Sequence, residues 1–372
     1  MFKDLIDQYN WEETEEKIYS KTAQEVENAL TKQGRLTLDD FMALISPAAK
    51  PYLEPMAALS RKYTQERFGK TMQMFIPLYI TNSCTNHCIY CGFNINNDIH
   101  RIVLDETQIL EEAQAIKQLG DFQNVIVLTG ENPKVANVDY VRRALELLRS
   151  YFSNLSVEIP PMEVDEYEQL IDAGLNGVTC FQETYHEARY KVYHPKGKKS
   201  NYTWRVNSYD RMGLAGVHKI GLGVLIGLED WRTDLTMMAL HLRYMEKTYW
   251  QTKYAVSFPR IRPHEGKEFQ PNSIMDDREL AQSIFAFRLF DHDLDLSLST
   301  RESPDFRDHM TTLGLTSISA GSKTDPGGYS VYKSELEQFM INDDRAPEVV
   351  AAAVKVQGYE VIWKDWDLCL QS

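Results

Sequence analysis

Eight short apolar runs rich in branched residues recur along the 372-residue chain, each followed by an amphipathic segment, and this alternation narrows the possible folds more than any other feature. The runs are Phe75–Thr81, Asn124–Thr129, Leu155–Ile159, Gly177–Gln182, Lys219–Ile226, Lys253–Phe258, Asp293–Ser299 and Leu315–Ala320. Helical patterns between them include Glu106–Leu119, Asp139–Phe152, Trp231–Glu246 and Asp277–Phe290. Eight strand-helix units in one chain favour a closed (β/α)8 barrel of the α/β class over an open sheet. A content of 43% hydrophobic residues suffices for a large core, and the length suits one barrel of roughly 250 residues plus additions.

Residues 1–70 read as a helical N-terminal extension. Thr14–Leu30 has a helical pattern, and Thr37-Leu38-Asp39-Asp40 is a helix start before Phe41, Leu44 and Ile45. Pro47 and Pro51 interrupt the helical pattern beyond Ile45. The barrel is expected over 71–325 and a closing segment over 326–372, with a helix at Val349–Val356 and an aromatic tail at Tyr359–Trp366.

Three cysteines fall within eight residues, Cys84, Cys88 and Cys91, directly after the first strand. Thiolates so spaced can hold three irons of a four-iron cluster and leave the fourth open to a small molecule. A structural zinc site wants four ligands, and His87 is the adjacent candidate for the fourth position; a zinc-binding scaffold is therefore the competing reading. Five cysteines in all, without a signal-peptide pattern, point to reduced thiols in a cytosol rather than disulfides. The net charge of −14 opposes binding to a phosphate backbone, and no apolar run approaches the roughly 18 residues of a membrane span. Nucleic acid and membrane are thus not expected as partners. Lys191, Lys196, Lys198 and Lys199 read as a solvated loop; His186 and His194 lack a metal spacing.

CxxxCxxC with Tyr90 before the last cysteine resembles the radical S-adenosylmethionine (SAM) enzymes. The resemblance implies a 4Fe–4S cluster on Cys84, Cys88 and Cys91, SAM chelated at the open iron, and Tyr90 against the adenine. Thr129-Gly130-Glu131 after the second strand resembles the family's Gly-Gly-Glu motif, which implies that Gly130 gives close backbone approach and that Glu131 accepts from the SAM amino group. Glu183 at the end of the fourth strand and Arg205 twenty-two residues on match a Glu and an Arg that contact SAM in the biotin synthase branch, the Arg by pairing with its carboxylate. The glycines of Gly221-Leu222-Gly223 resemble the strand such barrels lay beside the adenosyl group.

Further motifs fall in order on later strands: Ser257-Phe258-Pro259-Arg260-Ile261-Arg262-Pro263, Ser299-Thr300-Arg301-Glu302, Ser317-Ile318-Ser319-Ala320-Gly321-Ser322 and Gly327-Gly328-Tyr329. With Tyr79-Ile80-Thr81-Asn82-Ser83 they resemble the radical SAM aromatic amino-acid lyases, and within these the 2-iminoacetate synthases, the tyrosine lyases of thiamine biosynthesis. The implied reaction splits the Cα–Cβ bond of L-tyrosine into 2-iminoacetate (dehydroglycine) and 4-cresol, SAM giving methionine and 5′-deoxyadenosine. Arg301 is the expected partner of the substrate carboxylate, with Thr300 or Ser319 as neutral donors, Arg260 or Arg262 as competing cations, and Tyr79 near the amine. Cys180 and Cys369 are too few for a second cluster, so dehydroglycine should leave intact for thiazole synthase, the implied protein partner. An electron donor such as flavodoxin or ferredoxin is implied as well. Cleavage of another aromatic amino acid, tryptophan for example, is the alternative within the class.

Overall fold

The computed structural model of the protein describes residues 1–263, 269–332 and 338–364. Eight parallel strands close a barrel: β1 (Thr71–Thr81), β2 (Asn124–Thr129), β3 (Asn154–Glu158), β4 (Leu175–Glu183), β5 (Lys219–Val224), β6 (Lys253–Ser257), β7 (Asp295–Leu298) and β8 (Ser317–Ser319). Consecutive strands pair in parallel, and the ring is sealed where β1 pairs with β2 on one side and β8 on the other. Every expected run overlaps one of these strands, the seventh and eighth being about half as long as expected at Asp295–Leu298 and Ser317–Ser319. The fifth strand stops at Val224, two residues short, because Ile226 leaves the ladder for a bridge to Arg260 and Gly227 turns with φ 121°.

Period-two alternation separates the two faces. Along β1, Met72, Met74, Ile76, Leu78 and Ile80 point outward and are fully buried beneath the helices, while Gln73, Phe75, Pro77 and Tyr79 point inward. Most (β/α)8 barrels fill their interior with branched aliphatics. Here the inward positions include Gln73, Asn124, Asn154, Ser156, Thr179, Ser257, Ser297, Ser317 and Ser319, so the apolar core lies outside the sheet and the axis holds a cavity.

The expected helices at Glu106–Leu119 and Asp277–Phe290 have those bounds, each opened by an aspartate capping box. Asp139–Phe152 shortens to Val138–Leu148, with Asn137 as N-cap. Thr14–Leu30 divides into Trp11–Tyr19 and Ala23–Thr31: Thr22 caps the second helix and its Glu25 returns the bond to the Thr22 N–H, so the local cap defeats the continuous pattern. Thr37 caps Leu38–Ile45 as expected.

The C-terminal segment differs most from expectation. A helix spans Pro347–Val356, but the tail contains a ninth strand, β9 (Glu360–Ile362), that pairs in parallel with Thr71–Gln73 at the foot of β1. Cys369 and Trp366 lie outside the described residues. Before the helix, the chain crosses the barrel mouth: the N–H groups of Asn342 and Asp343 bond to the Thr300 carbonyl. Asp343, fully buried, pairs with Arg307 and with Arg345, while Arg307 also donates to the Ser319 carbonyl. Removing one partner of a buried ion pair strands the other charge. Asp343→Ala is expected to cost about 3–5 kcal/mol of stability, read as a lowered urea midpoint, whereas loss of the more exposed Arg345 should cost less.

Candidate active site

The C-terminal ends of the strands open into a cavity of about 310 Å³, within the range of small-molecule sites. All eight strands contribute to its wall, and so does the loop that carries the cysteines.

That loop has no regular structure and is held by side chains. Arg101 donates to the carbonyls of Asn82, Phe93, Asn94 and Asn97; Asn94 donates to the Cys88 carbonyl; Thr85 reaches the Glu131 carbonyl through both its N–H and its hydroxyl. Asn86 donates to the Glu131 carboxylate at 2.6 Å, which fastens the loop to the end of β2. Gly130 is needed at this junction on steric grounds within the chain itself. A Cβ there would lie 2.3 Å from the Ser83 carbonyl oxygen, so the glycine makes room for the cysteine loop. Gly130→Ala should displace that loop, lowering both the thermal midpoint and the iron retained after anaerobic reconstitution.

Cys84, Cys88 and Cys91 all line the cavity, whereas His87 does not: its Nδ1 bonds to the Asn96 side chain. Among the described residues no three His, Cys, Asp or Glu side chains are grouped to hold a single metal ion. Burial pushes the Cys88 and Cys91 thiols up, and Lys199 pulls both back only in part. Sulfurs in such a place become thiolates when a cationic metal group compensates them. The donor set therefore fits an iron–sulfur cluster on three thiolates and not a closed zinc site, which removes the scaffold reading's fourth ligand.

Tyr90 is half-buried beside Phe269, with its hydroxyl donating to His194 Nε2 at 2.7 Å; the His194 Nδ1–H faces the Tyr190 carbonyl, which leaves Nε2 as the acceptor. Burial holds His194 well below its usual pKa, so the ring is neutral. At the end of β4 the backbone kinks around Glu183, whose φ of 71° is unique among the described non-glycine residues. Such strain is characteristic of functional sites. Its carboxylate accepts from Lys199 Nζ at 2.6 Å and lies 3.6 Å from Arg205 Nη2, while Arg205 Nε donates to the Phe181 carbonyl. Lys199 thus leaves the solvated loop assigned to it; Lys191, Lys196 and Lys198 stay exposed. The glycines of β5 make room for their neighbour strand: a Cβ on Gly221 would meet Thr179 Oγ1, and one on Gly223 the Phe181 ring.

Across the mouth, three arginines resolve into different states. Glu302, almost fully buried, pairs with both Arg260 and Arg262, and Arg260 also reaches Asp277. Arg301 has no carboxylate within ion-pair distance among the described residues; its guanidinium stacks on Phe339 at 3.3 Å and lines the cavity. Burial lowers its pKa, yet a guanidinium stays charged. Thr300 and Ser319 lie beside it, already joined by a bond from the Thr300 N–H to Ser319 Oγ. Tyr79, buried, donates to Gln338 Oε1 at 2.8 Å, and Gln338 Nε2 sits 3.8 Å from Cys91 Sγ.

Three further residues that line the cavity, Glu158, Gln338 and Phe339, carry no role in the sequence motifs. Glu158 is legible in hindsight as the lone acid closing an apolar strand just before Pro160. Gln338 and Phe339 arrive by the long C-terminal return, which no local pattern announces.

Residues 78–239 match the model of the Radical SAM superfamily, and residues 257–360 that of the Biotin and Thiamin Synthesis associated domain. The chain is 50% identical to 2-iminoacetate synthase of Escherichia coli (strain K12) over 98% of this chain and 97% of that protein. It is 49% identical to 2-iminoacetate synthase of Salmonella typhimurium over the same shares. Among solved structures, HydG, a maturase of the FeFe-hydrogenase, superposes with a TM-score of 0.89 and 27% identity, covering 95% of this chain and 79% of that one. Methylornithine synthase PylB shares the fold, with a TM-score of 0.74 at 20% identity over 93% of this chain and 99% of that one. Half-identity along nearly the whole length, on a barrel whose mouth gathers three cysteines, places the chain in the 2-iminoacetate synthase family of the radical SAM superfamily.

Proposed function

We propose that this protein is a tyrosine lyase: it cleaves the Cα–Cβ bond of L-tyrosine to give 2-iminoacetate and 4-cresol, supplying dehydroglycine for the thiazole ring of thiamine. The observation that carries the reading, beside the kinship, is Arg301, a cavity-facing cation left without a carboxylate while Arg260 and Arg262 are neutralised by Glu302 and Asp277. A free amino acid brings the carboxylate that Arg301 lacks, and a planar fork suits it.

When bound on Cys84, Cys88 and Cys91, the 4Fe–4S cluster together with SAM supplies the 5′-deoxyadenosyl radical that removes hydrogen from the substrate amine. Lys199 and Arg205 share the single carboxylate of Glu183, so one positive charge is left over to pair with the SAM carboxylate. Glu131, already oriented by Asn86, is placed to accept from the SAM amino group, with Gly130 keeping the loop close. Tyr90 and Phe269 form an apolar ledge for the adenine. Tyr79 fixes the cluster side of the substrate amine through Gln338, and Thr300 and Ser319 flank the substrate carboxylate. The deep, walled cavity holds the amine in position and keeps water from the radical and the imine.

Delivery to thiazole synthase by direct contact fits the hydrolytic fragility of 2-iminoacetate. A low-potential donor such as flavodoxin or ferredoxin supplies the electron, and the protein works in the cytoplasm. No helix among the described residues is long and apolar enough to cross a membrane. The test is an anaerobic assay on reconstituted, reduced enzyme: 4-cresol and 5′-deoxyadenosine should form from tyrosine. Turnover with tryptophan or another amino acid, and no 4-cresol from tyrosine, overturns the assignment.

A further inference from the structure

Five acidic side chains line the cavity, and their partners single one out. Glu131 accepts from Asn86, Glu183 from Lys199 and Arg205, Asp295 pairs with Lys219, and Glu302 pairs with Arg260 and Arg262. Among the described residues the Glu158 carboxyl has neither a hydrogen-bond nor an ion-pair partner. The cations of the wall sort the same way, with Arg301 the one lacking a carboxylate.

Glu158 ends β3 and Arg301 lies three residues beyond the end of β7, two strands that the ring order places diametrically opposite, with three strands between them in either direction. The wall between them on the β1–β2 side presents an apolar patch of Pro77, Ile126 and Leu128, bordered by the polar side chains of Tyr79, Thr129 and Ser319. A cation, an apolar wall and a hydrogen-bond acceptor in that order complement an amino acid with a carboxylate at one end, a ring, and a hydroxyl at the other.

We propose that Glu158 recognises the phenol of the substrate, accepting its hydroxyl hydrogen across the barrel mouth from Arg301, and thereby sets the preference for tyrosine over phenylalanine. The assignment rests on the tyrosine-lyase reading and deepens it. Burial, reinforced by the neighbouring charge of Glu183 and opposed by Arg301, Lys199 and Arg205, pushes the Glu158 carboxyl up to about 7. Near neutrality the group therefore exchanges hydrogen bonds with a phenol in either protonation state. With phenylalanine bound, it is shut into an apolar contact with no partner, which is how a hydrogen-bonding pocket rejects an analogue that lacks the hydroxyl.

The experiment measures L-tyrosine and L-phenylalanine binding calorimetrically to the cluster-loaded, SAM-bound, non-reduced enzyme, so that no turnover intervenes. Wild type should prefer tyrosine. Glu158→Leu should weaken tyrosine binding by about 10- to 100-fold, the worth of a hydrogen bond to a charged group. Phenylalanine and SAM binding should stay near wild type. Glu158→Gln, which keeps size and polarity, should lose less, and unchanged cluster absorbance reports an intact fold in either variant. Persistence of the wild-type tyrosine preference in both variants, or an equal loss for the two amino acids, overturns the role of Glu158 alone. A wild type that binds no tyrosine overturns the lyase reading itself.

Discussion

Cys88→Ser is expected to yield a folded protein that holds almost no iron and forms neither 5′-deoxyadenosine nor 4-cresol above background. Cys88 is the most buried of the three cysteines, and its alkoxide would have to form where burial already opposes the thiolate. Two remaining thiolates cannot retain a cluster that needs three, and the cofactor carries the hard chemistry. The backbone should survive, because Arg101, Asn94 and Thr85 hold the loop through main-chain atoms that the substitution leaves in place. Iron analysis after anaerobic reconstitution, about four per chain in wild type, and circular dichroism on the same sample check both halves. A serine variant with full iron and turnover would mean that Cys88 is not a cluster ligand.

Arg301→Ala should act on the other ligand. Truncating one partner of a buried, hydrogen-bonded charge pair costs about 2–5 kcal/mol, which raises the tyrosine KM by roughly 30-fold to several thousandfold. SAM binding should be spared, because the positive charge proposed for it lies with Lys199 and Arg205 around Glu183 on β4. Lysine at the position should recover only part of the loss: a point charge lacks the fork that matches a carboxylate and cannot stack on Phe339 as the guanidinium does. Tyrosine titrations and SAM titrations on the same preparations separate the two effects. Equal weakening of both ligands would take Arg301 out of the substrate site.

Much of this architecture is readable before any coordinates exist. Burial alternates with period two along β1, β6 and β7 and is nearly continuous along β4 and β5, and the helix starts at Thr37, Asp105 and Asp276 carry capping boxes, so local chemistry and global fold agree there. What escapes the sequence is what depends on partners far away along the chain. Lys199 looks like one of four surface lysines until Glu183, with its left-handed backbone, draws it inward. Nothing near Gly130 in the sequence announces that the Ser83 carbonyl presses on it. Arg260, Arg262 and Arg301 are alike in sequence; only the position of Glu302 decides which of them remains uncommitted.

The pairing of β9 with the foot of β1 has a temporal side. On the ribosome, a nascent chain that has finished all eight barrel strands still exposes the backbone of Thr71–Gln73 along one edge, an invitation to mispair with another chain. Only when Glu360–Ile362 emerges is that seam stitched, so a segment made well after the barrel strands shields the first strand made.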